Sequence, residues 1–202
     1  MATIYELTQE LTYALQSHVL PLFNQAAHRY GLPVTLLLAI ASRESKIGSD
    51  AYYLAHHGIG TDGVSTGIMQ VNALAHPVIR GYDPLDDRKI IDYASGYIAR
   101  QLHTFGDIRF ALDAYNAGAE SVKGALSGGR DPDSVTTGAD YGTDVLHRQA
   151  LIVHILNQNP AYKDALRKPL PLIRAGMGKT VGIVLGTLLI GSGFYELSRQ
   201  MR

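Results

Sequence analysis

Apolar residues in this chain return every three or four positions, segment after segment, and almost never alternate. That periodicity leaves helices as the only abundant element, because a half-buried strand needs a period of two. Ile4, Leu7, Leu11 and Leu15 share one face of a first amphipathic helix. Pro21 opens a second, which ends at Tyr30-Gly31 with Gly31 as the left-handed terminator. Pro33 begins a third, PVTLLLAIASRE. Residues 85–105 predict a long helix capped by Asp86 or Asp87, with Ile90, Ile91, Ala94 and Ile98 inward. Asp107 caps a short helix through Tyr115 that Gly118 stops, and an apolar helix over 143–157 stops before Pro160. The expected architecture is mostly α, about seven helices joined by glycine-rich loops.

Composition narrows the function classes. A length of 202 residues suits one domain, drawn here as 1–165, plus an appendage. With no cysteine there are neither disulfides nor thiolate metal sites. The formal net charge of zero argues against nucleic acid as a partner held by bulk basic charge. His56 with His57, and His147 with His154, lack a third ligand at matching spacing, so no metal is expected. The 21 glycines gather in Gly58–Gly67, Gly118–Gly142 and Gly176–Gly193; the first two groups suggest shaped loops. The N-terminus, with Glu6 and Glu10 and no basic start, does not read as a secretory signal.

The third helix carries the chemistry. Leu37, Ile40 and Ala41 lie seven, four and three positions before Glu44, which puts the carboxyl on the apolar face at the helix end. Burial disfavours the charged form and raises the pKa, and a rise of about two units corresponds to roughly 2.7 kcal/mol. Such a group stays protonated near neutral pH and can act as a general acid. A solvated glutamate paired with Arg43 or Lys46 is the bland alternative.

Four motifs in order favour the acid. They are Ala41-Ser42-Arg43-Glu44-Ser45, Gly67-Ile68-Met69-Gln70-Val71, Ala114-Tyr115-Asn116-Ala117-Gly118 and Asp140-Tyr141-Gly142-Thr143-Asp144-Val145. Over roughly residues 24–157 the chain resembles goose-type lysozymes and soluble lytic transglycosylases, which share a lysozyme-like fold. The resemblance implies a muramidase without cofactor, cutting the MurNAc-β-1,4-GlcNAc bond of peptidoglycan. It implies Glu44 as the acid, Tyr115 lying against Glu44 and orienting its carboxyl, and Ser45, Gly67, Met69, Gln70, Asn116 and Tyr141 as substrate-binding positions. Tyr115 and Tyr141 as core tyrosines, and Met69 as simple packing, are the alternatives.

Two mechanisms fit. An inverting hydrolase needs a second carboxylate some 6.5–9.5 Å away to activate water. A lytic transglycosylase uses the substrate's own N-acetyl group and 6-hydroxyl, leaving a 1,6-anhydro-muramyl end. Goose-type lysozymes carry one aspartate before the Gly-Leu-Met-Gln segment and one after it. Here Asp62 stands one residue displaced, and Asn72 holds the second position. The transglycosylase is the favoured reading, with Asp62 as the residue that would make it a hydrolase and a turn-forming Asp62-Gly63 as its structural alternative. A non-catalytic glycan-binding or structural membrane protein is the reading from another class.

The tail suggests a membrane. Thr180 to Tyr195 is sixteen residues without a charge, and counting from Ala175 gives about 31 Å of helix, enough for a ~30 Å hydrocarbon core. The expectation is a linker over 166–178, a single transmembrane helix over 179–198 and a short basic tail over 199–202, with Gly182 and Gly186 as a helix-packing pair. Arg167, Lys168, Arg174 and Lys179 before the span place the domain on the cytosolic side at insertion, away from peptidoglycan. Carriage in the membrane of a phage virion resolves that conflict.

Overall fold

The computed structural model describes residues 1–168. The expected span, basic tail and Gly182–Gly186 pair lie outside the described residues, as does the linker beyond Lys168. No described helix is long and apolar enough to cross a membrane. Described in order are α1 (Ile4–Gln16), α2 (Leu20–Tyr30), α3 (Val34–Ser45), α4 (Ala51–Ala55), a hairpin of β1 (Ser65–Thr66) and β2 (Val71–Asn72), then α5 (Asp87–Phe105), α6 (Ile108–Ala117), α7 (Ala119–Ser127), α8 (Tyr141–Gln158) and α9 (Pro160–Arg167). Leu166 is buried in the core, so α9 extends the domain past 165 into what reads as linker.

The third helix is the centre of the molecule. Every residue from Leu36 to Ser42 is buried, so α3 is enclosed on all sides rather than amphipathic. It packs most extensively on α8 and also against α2, while α5 and α6 pair beside them. Local signals set the ends. Thr3 and Glu6 form a reciprocal capping box on α1, Gly31 ends α2 at φ +66°, and Asp86 rather than Asp87 caps α5. Leu7 and Leu11 of the first helical face are buried, but Ile4 is exposed because α1 begins there, beyond the core.

The small sheet is antiparallel, with Ser65 opposite Asn72 and Thr66 opposite Val71. Its turn runs Gly67 to Gln70, closed by the Gln70 N–H on the Gly67 carbonyl at 2.8 Å. Gly67 is required there on two counts. Its φ is +73°, and a Cβ would lie 2.6 Å from Ile90 Cγ2 of α5.

On the far side of α3 a buried charge chain ties three helices. The Ser42 hydroxyl donates to Glu10 Oε2 (2.5 Å) and accepts from Arg148 Nη1 (2.8 Å). Arg148 and Arg43 both donate to Asp144 Oδ2, at 2.7 and 2.8 Å, and Arg43 also reaches Asp140 at 2.9 Å. Two guanidinium groups on one buried carboxylate lower the Asp144 pKa against the burial that opposes it.

Gly67→Ala should lose about 2–4 kcal/mol of stability, summing left-handed strain and overpacking against Ile90. Urea unfolding checks this, and a loss below 0.5 kcal/mol would contradict the close approach.

Candidate active site

Glu44 sits on the last turn of α3, where the chain reverses at once. Lys46 and Ile47 both take φ +52°, followed by Gly48 at +81°. A β-branched residue in that region is strained, and the fully buried Ile47 side chain offsets the cost. The reversal is held by the Ile47 N–H on the Ala41 carbonyl (3.0 Å) and the Gly48 N–H on the Ser45 hydroxyl (2.9 Å). The Ser45 hydroxyl in turn donates to the Ile68 carbonyl (2.7 Å), which joins the helix end to the hairpin turn.

A cleft of about 560 Å³ opens in front of Glu44. Asp62, Gln70 and Asn72 line it from the hairpin side, His76 and Tyr97 from beyond, and Tyr115, Asn116 and Tyr141 from α6 and α8. Neither charged neighbour of Glu44 in sequence pairs with it. Arg43 turns away to Asp140 and Asp144, and Lys46 pairs with Asp50 at 3.2 Å. The Tyr141 hydroxyl donates to Glu44 Oε1 at 2.5 Å. Although the residue keeps an opening to the cleft, protein surrounds its carboxyl, and this burial pushes the pKa up to about 7 against the opposing pull of the Tyr141 hydrogen bond. Holding the proton through that shift corresponds to about 3 kcal/mol of preference for the neutral acid.

The structure redistributes several expected roles. Tyr115 does not orient the Glu44 carboxyl; its hydroxyl donates to the Met69 carbonyl at 2.7 Å, fastening α6 to the hairpin turn, and Tyr141 holds Glu44 instead. Met69 is fully buried, and Ser45 and Gly67 stand behind the cleft wall, so these three shape the turn rather than face a ligand. Gln70 reaches the cleft, but its amide donates back to the Gly67 carbonyl (2.8 Å) and the Gly58 carbonyl (3.3 Å), bracing a residue at φ +44°. Asn116 lines the cleft and accepts from the Thr137 N–H at 2.8 Å.

Asp62 is a cleft carboxylate with its valences committed. Its Oδ1 accepts from the Val64 and Ser65 N–H groups (3.0 and 2.8 Å) and its Oδ2 from the Ser65 hydroxyl (2.6 Å). Those donors outweigh desolvation and hold its pKa below the ordinary value. The group is a turn former and a weak base, and its negative charge helps keep Glu44 protonated.

Sequence reasoning missed His76 and Tyr97. The His76 Nδ1 lies 3.0 Å from the Tyr93 hydroxyl, and its ring meets Tyr97 edge-on at 4.5 Å. Burial, with the Arg100 charge, lowers the His76 pKa and keeps the ring neutral. The available signal was the spacing of Ile90, Tyr93 and Tyr97, which share one stripe of α5.

Tyr141→Phe removes the donor that lowers the Glu44 pKa, so an NMR titration should show Glu44 ionising above its wild-type value near 7. Tyr115→Phe should leave that titration in place and cost about 1–3 kcal/mol of stability through the orphaned Met69 carbonyl. Equal titrations in wild type and Tyr141→Phe would refute the assignment of roles.

The described residues hold one further acidic group that could ligate a metal, Asp113, Asp131 and Asp133, away from the cleft and already spanned by Arg109. No curated protein matches the chain at a significant level. A family model does: residues 21–134, more than half the chain, match the transglycosylase SLT domain. That stretch contains α3, the hairpin and α6, and so delivers Glu44, Gln70 and Tyr115 to one cleft. The chain belongs to the transglycosylase SLT domain family, enzymes of the peptidoglycan lytic transglycosylase or lysozyme type.

Proposed function

We propose that the protein is a lytic transglycosylase that cuts the MurNAc-β-1,4-GlcNAc bond and leaves a 1,6-anhydro-muramyl end, with Glu44 as the sole acid and base. The observation that carries this reading is the contrast between the two carboxyl groups in the cleft. Glu44 holds a proton up to about pH 7, while Asp62 is locked as a weakly basic turn carboxylate. The position after Val71 is Asn72, whose Oδ1 accepts the Leu74 and Ala75 N–H groups at 2.9 and 3.1 Å and has no proton-accepting role to offer water.

In the first step the Glu44 proton passes to the glycosidic oxygen, the C1–O bond breaks, and the substrate's N-acetyl oxygen stabilises the electron-poor C1. In the second the 6-hydroxyl attacks C1 and gives its proton to the Glu44 carboxylate. The acid is regenerated and no water is consumed. Tyr141 serves both steps, since a donor on Oε1 leaves the other oxygen to carry and recover the proton. The apolar segment 180–195 is proposed, on sequence alone, as a tether to a membrane.

Glu44→Gln should abolish cleavage while preserving the fold. It should also gain relative stability as pH rises: a pKa raised to about 7 makes the wild type lose stability between pH 4.5 and 7, by no more than about 3 kcal/mol. Asp62→Asn should keep activity within about tenfold. Mass spectrometry of digested peptidoglycan should show anhydro ends; reducing ends carrying an added water would sink the transglycosylase and restore Asp62 as a base.

A further inference from the structure

Asp113 and Asp144 are both fully buried, yet only one has its charge answered. Asp144 receives two guanidinium groups below 3 Å, whereas the nearest cation to Asp113, Arg109 Nη1, stands 4.0 Å away. What faces Asp113 is a second carboxyl. Asp113 Oδ1 and Asp133 Oδ1 accept the same N–H, that of Gly142, at 3.0 and 2.8 Å. Two acceptors on one hydrogen lie beside one another, and two full negative charges in that arrangement repel strongly.

The remaining contacts say which group carries charge. Asp133 Oδ2 accepts from the Thr143 hydroxyl (2.5 Å), the Thr143 N–H (3.3 Å) and Arg109 Nη1 (3.2 Å). Asp113 Oδ2 is buried and accepts no hydrogen bond. A proton on Asp113 removes one of the two adjacent charges and gives the buried carboxyl a hydrogen to donate. Among the described residues, the charged groups facing Asp113 are Arg109 on its own helix and Asp131 and Asp133 from the turn before α8. α8 itself presents backbone N–H groups. Arg109 bridges Asp131 (2.5 Å) and Asp133 and fills the place a cation would take.

We propose that Asp113 and Asp133 share one proton and act as a positioning pair, gripping the first turn of α8 and so setting the Tyr141 hydroxyl against Glu44. Gly142 makes the grip feasible, because a Cβ there would overlap Asp113 Oδ1 and crowd Arg109. With the Thr136 hydroxyl on the Tyr141 N–H (3.2 Å), side chains satisfy the first three N–H groups of α8. Burial and the Asp133 charge push the Asp113 carboxyl up to about 8, while its donors hold Asp133 below the ordinary value. Above that pH a second charge opens the grip. The catalytic consequence rests on the function proposed above; the shared proton does not.

The test is a carbon-13 titration of the side-chain carboxyls in the full chain, followed by pH–rate profiles. One aspartate should titrate near pH 8, vanish in Asp113→Asn and fall by more than one unit in Asp133→Asn. Asp113→Asn, whose amide can accept from Gly142 and donate to Asp133, should stay within about threefold of wild type at pH 6. Above pH 8 its activity should decline by one proton, where the wild type declines more steeply. An Asp113 titration below pH 6, or alkaline limbs of equal slope, would overturn the proposal. Should Asp113→Asn fail to fold, the wild-type and Asp133→Asn titrations still decide it. A chain inactive on peptidoglycan would defeat the function while leaving the titrations unchanged.

Discussion

A carboxyl that must keep its proton at neutral pH has to be enclosed, and yet a substrate has to reach it. The hydrogen bond from Tyr141 to Glu44 reconciles these demands. It fills one oxygen with a neutral donor, so Glu44 is fixed without a cation that would ionise it. Arg43 is one residue away in sequence and would supply such a cation, but its guanidinium pairs with Asp140 and Asp144 rather than with Glu44. The ion chain from Glu10 through Ser42 and Arg148 to Arg43 therefore has an electrostatic role beyond joining helices. It pairs the Arg43 charge with carboxylates, so the pull of Arg43 on the Glu44 pKa stays smaller than the rise from burial.

The same logic explains the hairpin. Gly67 and Gln70 in its turn and Gly58 in the loop before it all take positive φ, and they are cross-linked by Gln70's own amide and by backbone bonds. Tyr115 and Ser45 anchor the turn to α6 and α3 through the Met69 and Ile68 carbonyls. Residues that look like ligand contacts by their place in a motif are thus largely the bolts of the cleft wall. A wall built this way holds Asp62 at a set distance and fully hydrogen-bonded, where it adds negative potential without offering a base.

Much of this was legible in the sequence. Helical period, proline at helix starts and glycine at their ends placed α2, α3, α5 and α6, since these signals are local. The burial of Glu44 followed from Leu37, Ile40 and Ala41 on its face. The short helices α4 and α7 did not show, because α4 is only five residues long and α7 starts directly after the Gly118 that stops α6, inside a glycine-rich stretch. Which of two tyrosines meets Glu44 was also hidden. Tyr115 and Tyr141 lie on different helices, and their hydroxyl directions depend on how α6 and α8 cross, a long-range property that no window of sequence carries.

The start of α8 draws these strands together. Helix N-termini attract anions, and here the partial positive charge of the first turn meets Asp133 as a true carboxylate and Asp113 as a neutral acid. Two charged carboxylates would each attract the turn, but at the low dielectric of a buried site their mutual repulsion exceeds what one shared N–H returns. One charge plus one proton is the arrangement with the lower free energy. Glu44 reaches the same solution within the cleft, a neutral acid kept so by burial with an ionised aspartate nearby. The two sites are joined through the first turn of α8, where Tyr141 reaches Glu44 and its neighbour Gly142 reaches the aspartates. The pair that sets the tyrosine and the acid it holds are therefore coupled through adjacent residues.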